Sequence, residues 1–183
     1  MTTTTFTLII AGGSFGAGFL GSLTGLGGGI VIVPMLTLVF GVDIRYAIGA
    51  SLVSVIATSS GAAAAYVREG FTNVRVGILL EVATTAGALV GAALAGVIPP
   101  SALGVLLGLL LLFTAARSFR ARPDHAPLTT PDKWSVKFRL DSTYPTLAGK
   151  QPYAVRRAPA GFAIMFVAGV LSALLGIGSG IVK

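Results

Sequence analysis

The chain has no cysteine, one histidine, six acidic residues and only 10% of its positions charged. Each shortage removes a class of function. Without cysteine there are no disulfides, no thiolate metal sites and no cysteine nucleophile. The single histidine, His125, stands in a polar stretch with no helical histidine or carboxylate near it in sequence. A metal site takes several such ligands, so neither metal nor cofactor is expected. No Ser-His-Asp set, no pocketed carboxylate pair and no P-loop is present, so the chain is not expected to be an enzyme. The opening residues, MTTTTFTLIIAGG, lack the basic n-region of a cleaved signal peptide, and the first apolar stretch is expected to be retained.

Apolar residues, by contrast, make up 54% of the 183 positions. A soluble domain of this size has about a quarter of its residues charged. The surplus apolar surface needs lipid as its solvent, so the expected fold is all-α, a polytopic transmembrane helix bundle in the cell (plasma) membrane. The net charge of +7 raises the question of a nucleic-acid partner. Its distribution answers it. Nine of the thirteen Lys and Arg residues fall within 117–157, one polar segment between apolar ones. Such clustering marks a cytoplasmic loop by the positive-inside rule, whereas a nucleic-acid surface interleaves basic residues with aromatics on a folded module.

Residues 6–40 carry no charge. As one helix they would run about 52 Å at ~1.5 Å per residue, well beyond the roughly 30 Å hydrocarbon core. They must tilt, break or turn back, and glycines at 25 and 27–29 followed by Pro34 supply the break. If the chain turns back there, its N-terminus lies outside. If it crosses once, the N-terminus lies inside. A polar turn at Asp43 and Arg45 leads into a span at 46–66 rich in small residues, which favour protein neighbours over lipid. The next span, 76–98, carries Gly87, Gly91 and Ala95 at four-residue spacing, a helix-contact stripe, and Pro99-Pro100 ends it. The Leu-rich span 102–116 reads as lipid-facing. Three divisions follow: 1–116, a first transmembrane repeat; 117–159, a Pro-rich loop expected to be mobile, with Trp134, Phe138 and Tyr144 as interfacial anchors; and 160–183, the start of a second repeat. By alternation the basic turn 68–75 shares the cytoplasmic face with the loop, and 43–45 and 99–100 lie outside.

The strongest local signal is an internal duplication. Residues 18–32, GFLGSLTGLGGGIVI, align without gaps on 169–183, GVLSALLGIGSGIVK, with roughly half the positions identical. After Ile32 the first copy continues through Val33 and Pro34, while the second stops at Lys183, so a chain incomplete in its second half is expected. Transporters are often built from two such halves, with substrate held where helices break inside the membrane. Glycines at a half-helix N-terminus expose backbone N–H groups at the positive end of the helix dipole, which suits an anion. Gly27, Gly28 and Gly29 from one copy and Gly178, Ser179 and Gly180 from the other are therefore the candidate substrate-binding residues. The plainer role of these glycines is close helix packing.

Lys183 stands beside the second motif as a counter-charge, or as a snorkelling terminal lysine. Ser51 and Ser54, with Thr58 at helical spacing, offer hydroxyls to an oxyanion or to a neighbouring helix. Glu81 is the acidic residue well inside a span, a proton-coupling candidate unless it pairs with Arg75.

Together these motifs resemble the sulfite exporter TauE/SafE family of membrane transporters. The resemblance rests on G-x-L-x-G-L-G-G-G-x-x-x-V-P at 21–34, AIGASLVSV at 47–55 and VREG at 67–70. GALVG at 87–91 and GIGSGIVK at 176–183 extend it. It departs at Ser179, where glycine is usual. The resemblance implies a permease or exporter of small anions such as sulfite, thiosulfate, organosulfonates or carboxylates. The partners expected are the lipid bilayer, the anion, and either a homo-oligomeric copy or the missing second half. A non-transporting membrane scaffold or assembly partner is the other reading.

Overall fold

The computed structural model describes residues 3–24, 28–70, 72–118, 132–146 and 149–178. It is an all-α helical membrane bundle. Its helices are α1 (Thr3–Thr24), α2 (Gly29–Pro34), α3 (Ile44–Arg68), α4 (Val74–Ala95), α5 (Pro100–Ser118), α6 (Lys133–Lys137) and α7 (Ala158–Leu175). Among the described residues a single hairpin pairs β1 (Ser142–Thr146) with β2 (Gly149–Tyr153). Among the described residues, four helices are long and apolar enough to cross a membrane: α3, α4, α5 and α7. Their outer faces are largely bare, with Val53, Leu89, Leu109 and Val167 all exposed, as expected where lipid replaces water as the solvent.

The long apolar start does turn back. Gly28 lies against the backbone of Ala17 and Gly18, and Gly13 against the Met35 side chain, so α2 runs antiparallel to α1. Pro34 withholds a helical N–H, and the chain continues as a π-helical turn, Met35–Val39. The Thr37 hydroxyl donates to the Val33 carbonyl at 2.9 Å, satisfying an acceptor in this distorted stretch. From Gly29 to Val39 the segment is about 16 Å long at ~1.5 Å per residue, half a membrane crossing. Asp43 then caps α3 by accepting from the Arg45 N–H.

Two polar faces result, and hydrogen bonds assign each turn to one of them. On the first face, Asn73 Nδ2 donates to the Leu140 carbonyl at 2.6 Å and an Arg75 guanidinium nitrogen to the Arg139 carbonyl at 3.0 Å. The turn before α4 and the basic loop therefore share it. On the opposite face an Arg45 guanidinium nitrogen donates to the Ile98 carbonyl at 3.0 Å, joining the turn before α3 to the turn before α5. This is the pairing that charge alternation predicts.

The loop is more ordered than its composition suggests. Its 132–157 part holds α6 and the hairpin, organised by Asp141, whose carboxylate accepts from the Ser135 hydroxyl and the Val155 N–H. Leu140 is buried beside it. A few satisfied polar groups thus replace the long apolar run that the sequence lacks there.

The tightest packing joins α4 to α7, which run parallel. A Cβ on Gly87 would strike the Phe166 carbonyl, one on Gly91 the Val170 carbonyl, and one on Gly169 the Thr84 carbonyl. The stripe at 87 and 91 is a contact seam, reciprocated by Gly169 of the duplicated motif. Gly169→Ala should lower stability by about 1–3 kcal/mol, because the seam cannot open for a methyl group without backbone shifts. Gly108→Ala on α5, where the added methyl meets nothing, should leave stability unchanged or raise it by up to ~1 kcal/mol. Thermal unfolding of both variants in detergent checks the contrast.

Candidate functional site

The two glycine motifs meet. The helix of the first copy is described to Thr24 and that of the second ends at Leu175, positions equivalent in the duplication. Gly176 ends α7 in the left-handed conformation, φ +67°, the usual glycine stop of a helix. That turn brings its carbonyl towards α2. A Cβ on Gly29 would collide with the Gly176 carbonyl oxygen, lie 2.7 Å from Ser51 Oγ and 3.3 Å from the Ile177 Cα. Ser51 is fully buried, and its hydroxyl donates to the Gly176 carbonyl at 2.6 Å. On the other side of Gly176, a Cβ would lie 2.8 Å from the Ile48 carbonyl oxygen. One serine on α3 thus holds the end of one motif against the start of the other.

Helix lengths place this junction in depth. Ser51 to Arg68 along α3 and Ala158 to Leu175 along α7 cover equal numbers of residues, about 26 Å each at ~1.5 Å per residue. The two agree. The junction lies deep from the basic face and about 10 Å along α3 from the opposite one. It is walled by Ile32, Val33, Ala47, Ile48, Leu174, Leu175 and Ile177, all buried. The helices that carry the motifs enter from opposite faces: α1 runs from the Asp43 side inward, and α7 from the basic side.

The candidate residues divide accordingly. Gly29 and Ser51 are at the junction, with Gly178 following Ile177 out of it. Gly29 owes its lack of a side chain to packing, and the Ser51 hydroxyl proton is committed to a carbonyl. Gly28 differs. It is buried, yet among the described residues a Cβ there would meet only ordinary contacts at 3.5–3.7 Å, and its φ of −67° suits any residue. Ser54 is half-buried one turn along α3, its carbonyl accepting from the Thr58 hydroxyl. Glu81 is exposed on α4, away from the junction. Gly27, Ser179, Gly180 and Lys183 lie outside the described residues. Gly176 itself was in the duplicated motif but not among the candidate site residues. Its place as the first glycine after an apolar helical run is the signal that marks a helix stop.

Removing the Ser51 hydroxyl leaves a buried carbonyl without its donor, which costs about 1–3 kcal/mol. Ser51→Ala and Gly29→Ala should both lower the unfolding midpoint in detergent, while Gly28→Ala leaves it nearly unchanged. Equal losses from all three would show that Gly28 is packed as tightly as its neighbour.

Comparison with known proteins adds a family. The family described as Sulfite exporter TauE/SafE matches residues 10–183. The chain is 31% identical over 172 residues to Probable membrane transporter protein YunE of Bacillus subtilis (strain 168), covering 90% of this chain and 60% of that protein. It is 31% identical over 102 residues to Probable membrane transporter protein ORF9 of Sinorhizobium sp, covering 56% and 38% respectively. It therefore spans about three-fifths of YunE and less of ORF9. No solved structure matches.

Proposed function

The chain belongs to the sulfite exporter TauE/SafE family, and from that premise we propose that it carries small anions across the plasma membrane. The substrates proposed are sulfite, thiosulfate or organosulfonates. The transport unit comprises a first repeat at 1–116, a loop at 117–159 on the cytoplasmic face and a second repeat opening at 160–183. The observation that carries this reading is the meeting of two duplicated glycine motifs, from helices of opposite direction, at Gly29, Ser51 and Gly176. Paired helix breaks from inverted halves are the setting in which transporters hold substrate and alternate between faces.

Substrate binding is assigned to Gly27, Gly28 and Gly29 with Ser51 and Ser54 on one side, and to Gly178, Ser179, Gly180 and Lys183 on the other. Glu81 is the coupling candidate. In the conformation described, Ser51 and Gly176 are bonded to each other. An anion that takes the Ser51 proton must displace the carbonyl, so binding and separation of the two motifs are coupled. This gives the alternating step a chemical cause: ligand replaces a bond between halves. Gly28, whose glycine identity packing does not require, is the position where close approach of an anion to bare backbone explains the residue best.

Efflux of sulfite and thiosulfate from cells expressing this chain, beside a version extended to the full length of YunE, tests the proposal. Transport by the extended version is the expected result. Absence from both across a panel of oxyanions would favour the alternative, a scaffold or assembly partner. In detergent, sulfite should raise the melting temperature of the extended protein, and Gly28→Leu should abolish that rise while helical content is retained.

A further inference from the structure

A cavity of about 290 Å³ opens at the basic face, between α4, α6 and the start of α7. Leu79, Trp134, Phe138, Ala158, Pro159 and Phe162 line it, an almost wholly apolar wall. Its size is near the roughly 300 Å³ lower end of small-molecule pockets. Trp134 on α6 and Phe138, which caps its C-terminal end, stack at 5.9 Å and 14°. Packing an aromatic pair would ordinarily bury it, yet these rings remain 47% and 46% exposed, facing an unfilled space.

The rim is cationic. Lys137 holds its ammonium 5.4 Å from the Trp134 ring centroid. Lys133, one turn earlier, flanks Trp134, and Arg156 and Arg157 immediately precede the lining residues Ala158 and Pro159. All four are exposed. Leu79 and Phe162 belong to the first turns of membrane-crossing helices, so the cavity sits where acyl chains begin and headgroups end.

We propose that this cavity is a binding site for an anionic phospholipid of the leaflet on the basic face, one acyl chain against Trp134, Phe138 and Phe162 and the phosphate among Lys133, Lys137, Arg156 and Arg157. Both halves of the ligand find a complement. A soluble anion would gain nothing from the apolar wall, and a zwitterionic lipid, whose own ammonium offsets its phosphate, would gain less from the four cations. The lipid would also brace α6 against α4 and α7, tying the folded loop to the seam that supports the glycine junction. The proposal requires only the bilayer, not transport.

Trp134 is the chain's single tryptophan, so its fluorescence reports on this cavity alone. The full chain is reconstituted in phosphatidylcholine vesicles containing a minor fraction of phosphatidylglycerol brominated along its acyl chains, or of brominated phosphatidylcholine as the comparison. Quenching by the anionic lipid should show an apparent affinity about fivefold or more above that of the neutral one, the size of a single basic contact with a lipid surface. The surface variant Lys133→Gln with Lys137→Gln and Arg157→Gln should remove the preference while keeping the neutral-lipid quenching, which also shows that the protein remains folded. Ala158→Leu, which fills the cavity floor, should weaken quenching by both lipids. Equal quenching by the two lipids in the unaltered chain overturns the proposal. So does a preference that survives in the triple variant, since it would then come from elsewhere on the surface.

Discussion

A peptide carbonyl inside hydrocarbon has no water to turn to, and leaving it unpaired costs several kcal/mol. Every interruption of a helix in this chain must meet that demand locally. Gly176 ends α7 well short of the far face, which orphans carbonyls at the depth where they are most costly. The Ser51 hydroxyl accepts this burden by donating to the Gly176 carbonyl. Much else follows from that one bond. To reach the carbonyl, α3 must pass within a side chain's length of the turn, and α2 must begin with a residue that has no Cβ. The fold-back of 29–39 onto α1 then has a fixed starting point. The break is therefore held at both ends, by a hydroxyl on one side and by bare backbone on the other.

The same economy explains the seam beneath it. Hydrophobic attraction does little between helices whose alternative neighbour is lipid, so close backbone approach has to supply the association. Gly87 and Gly91 on α4 meet Phe166 and Val170 on α7, while Gly169 meets Thr84 in return. Gly169 thus serves the seam and Gly176 the junction, seven residues apart on one motif. An α7 that slid along α4 by a turn would carry the Gly176 carbonyl away from Ser51. Registration in the seam sets registration at the junction, which is how packing far from the glycine break controls its geometry.

How far the sequence discloses all this depends on which force acts. Hydropathy and charge run along the chain, so the spans, a break at the glycines and the sorting of polar turns onto two faces were legible from 6–40, 68–75 and 99–100, while turn-back and single crossing remained equal alternatives for 6–40. The duplication aligns 18–32 with 169–183, and the helices described to Thr24 and ending at Leu175 occupy equivalent positions in it. What could not be read was partnership. Ser51 was visible as a small polar residue in an apolar span, but nothing in its neighbours points to Gly176, 125 residues away. The folded part of the loop was hidden for a similar reason. Its order comes from Asp141, Asn73 and Arg75 acting across long separations, not from a periodic apolar pattern.

Position along the membrane normal sharpens the difference between the glycines. A site at the midplane would be equally remote from both faces, whereas the junction is about 26 Å along α3 from the basic face and about 10 Å from the other. Gly29 and Gly176 are fixed by contact with each other, and packing alone accounts for them. Gly28 adjoins the same junction without being needed by it. A glycine retained for packing leaves no room for a Cβ, and among the described residues a Cβ at Gly28 would meet nothing closer than 3.5 Å. Its carbonyl already accepts from the Val31 and Ile32 N–H groups at 3.1 Å, so the open Cα face is what the proposed reading gives to a ligand.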